Sequence, residues 1–221
     1  MDTTSPPSFR SALRWLAALA AALVCSAAFA QAAAPVILVV GDSISAGYGL
    51  PRGAGWTTLL QQRLETEHYP HRVVNASSSG DTAAGGRARL AALLAQHHPA
   101  ITIIELGGND GLRGGNPDTL RNNLDAMAAM TQNAGSHVLL VGIRLPPNYG
   151  PAYVQRFEAT FAEVAKARKI ALVPFLFEGF GEDNAMFQQD RIHPVAAAQP
   201  KLLDNVWREL RPLLGAPGKT R

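Results

Sequence analysis

The chain has 221 residues, of which 47% are hydrophobic and 17% are charged. This length and composition are typical of one folded domain and exclude an intrinsically disordered or collagen-like protein. The net charge of +3 is small and the basic residues form no cluster, so no nucleic-acid partner is predicted. The single cysteine excludes a disulfide framework and a zinc site built from several thiolates.

The first thirty residues have the pattern of a secretory signal peptide. Arg10 and Arg14 stand before an apolar run from Trp15 to Ala30, which ends in Ala28-Phe29-Ala30. A basic start, an apolar middle and an A-x-A end predict cleavage. The apolar run is shorter than the roughly 20 residues that a transmembrane helix needs. We therefore predict an exported protein, periplasmic or secreted, with no transmembrane segment once residues 1–30 are removed.

Two alternatives concern this leader. Cleavage after Ala30 fits best, and Ala32 and Ala33 are the other possible sites. Cys25 is a candidate for lipidation, but Val24 stands before it where a lipoprotein site has a small residue. If the leader is cleaved, the mature chain holds no cysteine, which excludes a thiol nucleophile.

Beyond the leader, short apolar runs alternate with amphipathic stretches. Apolar runs closed by turn residues are typical of buried parallel strands, and apolar residues three or four positions apart predict helices. The alternation predicts a three-layer α/β/α sandwich with a five-stranded parallel sheet. One domain is expected at residues 35–214, followed by a flexible tail at residues 215–221. The predicted strands are Pro35–Val40, Arg72–Asn75, Ile101–Leu106, His137–Ile143 and Ile170–Val173, and the predicted helices are Gly55–Glu67, Ala83–Gln96, Asp118–Ala134, Tyr153–Arg168 and Val195–Leu214, the last interrupted by Pro200.

Ligands of such sheets bind outside the carboxyl ends of the strands, so the loops that follow the strands hold the candidates for chemistry. Ser43 lies just beyond the first strand, in Gly41-Asp42-Ser43-Ile44-Ser45. A serine hydroxyl needs a base within hydrogen-bond reach to act as a nucleophile. The loop after the fifth strand offers His193, with Asp190 three residues before it to hold the imidazole. Pro194 is expected at the first position of the closing helix.

Two further loops offer donors for a tetrahedral oxyanion. Gly80 follows three serines and offers a backbone N–H, and Asn109 offers a side-chain amide. Each of these residues has a purely structural alternative: Ser43 as a helix cap, His193 as a helix-start residue, and Gly80 and Asn109 as turn residues. Asp42 is predicted to be structural and to fix the turn by backbone hydrogen bonds.

These segments together resemble the GDSL, or SGNH, hydrolase family. The four residues that name the family match Ser43, Gly80, Asn109 and His193 in order, and Asp190-x-x-His193 has the matching spacing. The stretches 105–114 and 143–150 are similar to the bacterial periplasmic thioesterase, lysophospholipase and arylesterase group. The resemblance covers roughly residues 35 to 214 and implies a flavodoxin-like fold. It also implies a Ser43–His193–Asp190 triad and an oxyanion hole made by the N–H groups of Ser43 and Gly80 and the Asn109 amide.

The activity that follows is hydrolysis of acyl esters, namely aryl esters, lysophospholipids and acyl thioesters, by a monomer without cofactor or metal. Leu112, Pro146 and Tyr149 flank the predicted site and are expected to contact a small-molecule or lipid substrate. Two other functions stay open. One is a carbohydrate or peptidoglycan O-acetylesterase, because related sequences share the same four blocks. The other is a secreted, non-catalytic module that binds a small anion in its strand-end loops.

Overall fold

A computed structural model describes residues 34–217. The predicted signal peptide at residues 1–30, with Cys25, lies outside the described residues, as do residues 218–221 of the expected tail. Within residues 34–217, no helix combines the length and the apolar character that a membrane crossing requires.

Five parallel strands form one sheet in the order β2-β1-β3-β4-β5. Every residue of β1 and β3 is buried, because both faces of the sheet are covered, whereas the edge strands β2 and β5 are partly exposed. The five-stranded parallel sheet predicted from the sequence is confirmed. Its strands are β1 (Val36–Gly41), β2 (Arg72–Asn75), β3 (Ile101–Glu105), β4 (His137–Val141) and β5 (Ala171–Val173).

Two groups of helices form the outer layers. One group consists of α3, α5 and α6, which pack side by side, and in the other α2 packs against α7. The predicted three-layer sandwich is therefore confirmed. The helices are α1 (Ser43–Ala46), α2 (Trp56–Thr66), α3 (Ala83–His97), α4 (Gly108–Leu112), α5 (Pro117–Asn133), α6 (Pro151–Arg168) and α7 (Gln199–Leu210), and short 3-10 turns lie at Pro147–Tyr149, Asn184–Met186, Ala196–Ala198 and Arg211–Leu213.

The strand order reverses direction between β1 and β3. The chain runs from β1 outward to β2 on one side, then crosses to β3 on the other side. In parallel sheets such a reversal leaves a crevice at the carboxyl ends of the two central strands, because the loops that follow them lead to opposite faces. The register pairs Gly41 with Glu105. The loops that carry Ser43 and Asn109 therefore begin side by side.

The structure corrects two predictions about the closing helix. Pro200 does not interrupt a helix that begins at Val195; it lies in the first turn of α7, where its missing N–H costs no hydrogen bond. Pro194 does not begin that helix either. It forms an antiparallel bridge with Phe187, and the Val195 N–H donates to the Met186 carbonyl at 2.9 Å. Residues 186–195 thus form a narrow hairpin-like loop in front of the helix.

Candidate active site

Ser43 is the first residue of α1, directly beyond the end of β1. The buried Asp42 caps this helix, because its Oδ1 accepts the Ile44 N–H at 3.0 Å. This is the turn-fixing role that the sequence predicted for Asp42. Gly47, at φ 78°, ends the helix after one turn. At Gly41 a Cβ would stand 2.7 Å from the Glu105 Oε2 and 2.8 Å from the Ser45 Oγ, so glycine leaves room for the Glu105 carboxyl and the Ser45 hydroxyl.

His193 and Asp190 lie in the loop between Phe187 and Pro194. The Asp190 Oδ1 accepts the N–H groups of Ile192 at 2.9 Å and His193 at 3.0 Å, which closes a tight turn. Arg191 takes a left-handed conformation in this turn, at φ 58°. The sequence predicts that the start of the closing helix fixes His193. In the structure, this turn and the Phe187–Pro194 bridge set its position instead.

The structure brings these three predicted residues together, although Ser43 and His193 are 150 positions apart. The Ser43 Oγ lies 2.8 Å from the His193 Nε2, and the His193 Nδ1 lies 2.7 Å from the Asp190 Oδ2. Burial acts to raise the pKa of Asp190, but the N–H groups of His193 and Ile192 and the imidazole lower it to about 2. Asp190 is therefore a carboxylate at neutral pH and accepts the Nδ1 hydrogen, which leaves Nε2 free to accept from the serine hydroxyl.

Two glutamines join the Ser43 loop to the His193 loop. The Gln188 Nε2 donates to the Tyr48 carbonyl at 2.9 Å, and the Gln199 Oε1 accepts the Trp56 N–H at 3.0 Å. The Tyr48 ring also lies against the imidazole, with 4.5 Å between the His193 and Tyr48 ring centroids. These contacts tie the chain segments that follow β1 to the segments on either side of His193.

Gly80 and Asn109 border the same cavity as Ser43. Gly80 takes a positive φ of 79°, and among residues 34–217 its N–H meets no acceptor. The Asn109 Nδ2 donates to the Asp42 Oδ2 at 3.1 Å and to the Asp81 carbonyl at 3.0 Å. The Ser43 N–H stands in the first turn of α1, where helical N–H groups lack an intrahelical acceptor. Ser43, Gly80 and Asn109 thus each bring an N–H group to the border of the same cavity.

A pair of buried carboxyl groups lies beneath this arrangement. Glu105 is fully buried, and its Oε2 accepts the Ser45 hydroxyl at 2.6 Å and the Asp42 N–H at 3.4 Å. The Oε1 has no partner among the described residues. Burial raises the pKa of Glu105 well above its usual range, and the neighbouring Asp42 adds to this. Burial also raises the pKa of Asp42, to about 6. Burial therefore disfavours the charged form of both groups, while the Asp42 Oδ2 remains the acceptor that holds the Asn109 amide.

A cavity of about 870 Å³ opens beside Ser43 and His193. Of the three predicted substrate contacts, Leu112 and Pro146 line it, whereas Tyr149 does not. The Tyr149 hydroxyl instead donates to the Leu112 carbonyl at 2.9 Å, so it supports a lining residue from behind. The apolar part of the lining comes from Ile44, Leu112, Ile143, Leu145, Pro146, Phe175, Phe177, Phe187 and Ile192.

Metal-binding side chains do not gather anywhere in residues 34–217: no three His, Cys, Asp or Glu residues meet there in a group that could hold an ion. The cavity lining carries further polar and charged side chains, namely Tyr48, Ser79, Arg144, Asn148, Glu158, Glu182, Asn184 and Arg191. Among its polar groups, the Ser43 hydroxyl, the His193 imidazole and the N–H donors of Gly80 and Asn109 form one set. This set is suited to nucleophilic attack by the hydroxyl and to stabilisation of a developing negative charge on oxygen.

Comparison with known proteins supplies the family. Residues 39–199 match the model of the GDSL-like lipase/acylhydrolase family. The chain belongs to this family. The matched segment includes Ser43, Gly80, Asn109, Asp190 and His193, and the family assignment made from the sequence is confirmed.

Relatives within the GDSL-like family are similar over most of their length. The esterase TesA of Pseudomonas aeruginosa is 59% identical over 184 residues, which cover 83% of this chain and 92% of the relative. The thioesterase 1/protease 1/lysophospholipase L1 of Escherichia coli K12 is 42% identical over 186 residues, which cover 84% of this chain and 88% of the relative. A crystal structure of TesA has a TM-score of 0.80 at 58% identity and covers 81% of this chain and 99% of that one.

Sequence reasoning missed three residues at this GDSL-like site. Tyr48 contacts the imidazole, Glu105 supports the nucleophile turn, and Gln188 joins the two loops. One signal was present for Glu105, because it is an acidic residue in an otherwise apolar run that predicts a buried strand. Tyr48 and Gln188 lie in loops without periodicity, so only their tertiary contacts reveal them.

Proposed function

We propose that this chain is a serine carboxylic ester hydrolase that works through an acyl-enzyme on Ser43. The observation that carries the proposal is the chain of short contacts from Ser43 through His193 to Asp190 at the mouth of an apolar cavity. The same arrangement performs nucleophilic acyl transfer on several unrelated folds. Family membership supports this reading over a non-catalytic binding module.

The first half of the reaction acylates the serine. His193 takes the hydroxyl proton at Nε2 while the Ser43 Oγ attacks the ester carbonyl. Asp190 stabilises the imidazolium that forms. The N–H groups of Ser43 and Gly80 and one Asn109 N–H bind the oxyanion, so Asn109 exchanges one of its two resting acceptors for the substrate oxygen. The leaving alcohol or thiol receives its proton from His193.

The second half releases the acid. Water enters the position of the leaving group, and His193 takes one of its protons as the oxygen attacks the acyl carbonyl. The same three donors stabilise the second oxyanion. Collapse returns the proton to the Ser43 Oγ and frees a carboxylic acid. No redox change occurs, and the protons that His193 accepts are all returned.

The cavity favours substrates with an acyl chain. Phe175, Phe177 and Phe187 line it together with Ile143 and Leu145, which offers an apolar wall beyond the reacting carbonyl. The named relatives include an esterase and a thioesterase that is also a lysophospholipase. We therefore propose aryl esters, lysophospholipids and acyl thioesters as the substrate class, and an O-acetylated carbohydrate as the competing class.

Substitution of the nucleophile tests this function. Ser43→Ala is expected to lower kcat on p-nitrophenyl esters by more than about 10³-fold with folding unchanged. Without the hydroxyl, no side chain attacks the ester carbonyl, so the oxyanion that the remaining donors would stabilise does not form. Ser78→Ala is the matched control, since this exposed serine follows β2 two residues before Gly80 and is expected to keep full activity. Equal turnover by wild type and Ser43→Ala would refute the proposal.

Chain-length profiling decides between the two substrate classes. With p-nitrophenyl esters from C2 to C16, the apolar cavity predicts a higher kcat/KM for medium and long chains than for acetate. A preference for acetyl esters, together with turnover of acetylated sugars, would instead assign the O-acetylesterase function.

We further propose that residues 1–30 are removed on export and that residues 35–214 act as one monomeric domain in the periplasm or outside the cell. The basic residues, apolar run and A-x-A ending of this segment support export. Expression of the full chain followed by intact-mass measurement of the periplasmic fraction is expected to give a product that begins near residue 31. A full-length product confined to the cytoplasm would contradict export.

A further inference from the structure

Arg89 on α3 lies outside the triad and outside the cavity lining, yet it contacts the backbone of two strand ends. Its Nη2 donates to the Gly41 carbonyl at 3.4 Å, and its Nη1 donates to the carbonyl of Ala76, the first residue after β2. Its Nε donates to the Asp81 Oδ2 at 2.9 Å. The Arg89 side chain is 29% exposed and the Asp81 side chain 13% exposed, so this ion pair is partly shielded from water.

Two of these three contacts lie close in the sequence to a donor proposed for the oxyanion hole. Gly41 stands two residues before Ser43, and Asp81 directly follows Gly80. The Asp81 carbonyl also accepts one of the Asn109 N–H bonds at 3.0 Å. The three donors come from three separate chain segments, and the contacts of Arg89 lie beside all three.

We propose that Arg89 is a positioning residue, whose guanidinium holds Gly80 and Asn109 at the correct distance from Ser43. This role rests on the serine esterase function proposed above. A planar fork with five N–H donors binds a carboxylate and two carbonyls at fixed angles, whereas an ammonium group is a single point charge. Displacement of an oxyanion donor by even about 1 Å costs transition-state stabilisation while substrate still binds.

Arg87 provides a matched control on the same helix. It is two residues away, and its Nη1 donates to the Asn123 Oδ1 at 3.2 Å, on α5 rather than at the strand ends. Loss of either arginine removes one cation and one tertiary hydrogen-bonding side chain from α3. Of the two changes, only the loss of Arg89 removes hydrogen bonds to the segment that carries Gly80.

The test compares Arg89→Met, Arg89→Lys and Arg87→Met on a p-nitrophenyl ester, with thermal unfolding in parallel. We expect Arg89→Met to lower kcat by about 10- to 100-fold with KM within twofold, and Arg89→Lys to recover part of the loss. Arg87→Met is expected to keep kcat within twofold. Where Arg89→Met does not fold, Asp81→Asn serves instead, since it weakens the same ion pair while keeping the carbonyl that Asn109 uses.

An unchanged kcat in the Arg89 variants would overturn this role, and so would an effect that appears only in KM. An equal loss of kcat in Arg87→Met would also overturn it, because the effect would then belong to the helix as a whole. The proposed function fails separately, if Ser43→Ala retains turnover. An inactive Ser43→Ala beside a fully active Arg89→Met would refute the role of Arg89 alone.

Discussion

Asn109 illustrates how a single side chain is held ready for catalysis. Both hydrogens of its amide are occupied in the resting site, by the carboxylate of Asp42 and the carbonyl of Asp81. These acceptors orient the amide before substrate arrives, so little reorganisation is needed when an oxyanion replaces one of them. Because the Asp42 Oδ2 is an acceptor, it also favours the orientation in which the NH₂ group, and not the amide oxygen, faces the nucleophile turn.

Asn109→Ala is therefore expected to lower kcat by about 10²- to 10³-fold with little change in KM, because the lost bond strengthens in the transition state. Steady-state kinetics on a single ester separate the two constants. A rise in KM at constant kcat would identify Asn109 as a ground-state binding residue and contradict this role.

Glu105 makes a prediction about stability and pH. Burial raises its pKa in the folded protein above the unfolded value, so the folded state retains a proton that the unfolded chain releases. The stability that Glu105 contributes is present at pH values below the unfolded pKa and is lost as the pH rises through the folded pKa. Glu105→Gln keeps the shape and cannot ionise. Its unfolding free energy relative to wild type is therefore expected to rise as the pH increases from 4 to 8.

Denaturant unfolding at several pH values measures this difference, with Glu67→Gln as the control at an exposed glutamate. A constant difference between Glu105→Gln and wild type across this range would show that Glu105 ionises normally. Asp42 changes the stability in the same direction as Glu105, because its contribution is also lost as the pH rises, in this case towards its folded pKa of about 6. Asp190 acts in the opposite direction, because its stabilising effect is lost as the pH falls towards its folded pKa of about 2.

At the scale of elements, the end of β4 shows how closely the sheet and its loops pack. Gly142 donates its N–H to the Val173 carbonyl at 2.8 Å, and a Cβ at this position would lie 2.4 Å from the Pro174 carbonyl oxygen. Backbone atoms of a neighbouring segment cannot rotate away as a side-chain end can. The strand that leads into Ile143 and the cavity wall therefore depends on a glycine.

Gly142→Ala is expected to destabilise the protein by about 1–3 kcal/mol through overpacking. Gly55→Ala is the control, since the nearest atom to a Cβ there is 3.8 Å away and the change should cost less than about 1 kcal/mol. Thermal or denaturant unfolding compares the two variants. Equal stability of Gly142→Ala and wild type would show that the backbone at Pro174 moves away from the added Cβ at no cost.

The long elements were predictable because their periodicity is local. The run from Val36 to Gly41 reads as a buried strand without knowledge of its neighbours, and so does the run at Ile101. The short helices α1 and α4 were not predicted, because four or five residues carry no measurable period and depend on caps such as Asp42. The position of Pro194 depends on its bridge to Phe187, which is a tertiary contact.

The candidate site follows the same division. Ser43, Asp190 and His193 could be selected from strand-end position and chemistry, and the structure places them in contact. Tyr149 was expected at the cavity because its loop flanks the site, but side-chain direction is not readable from loop sequence. In the sequence, nothing distinguishes Arg89 from Arg87 on the same helix. Only the tertiary fold shows that Arg89 contacts two strand ends.

At the scale of the whole molecule, the sheet brings the first and last parts of the described chain together. Ser43 follows the first strand and His193 follows the last one, and their side chains are in contact. Gln188 and Gln199 bind the backbone of the loop and helix that follow β1 and so support this contact. The central strands are fully buried, so this platform is rigid. The proposed function depends on one chemical claim, namely that the Ser43 hydroxyl becomes acylated.

Covalent labelling tests that claim most directly. The protein is treated with a serine-directed fluorophosphonate, digested, and analysed by peptide mass spectrometry. We predict one label per chain, on Ser43, formed much more slowly in His193→Ala because the base is missing. A label on another residue, or full labelling of Ser43→Ala at the wild-type rate, would contradict the account.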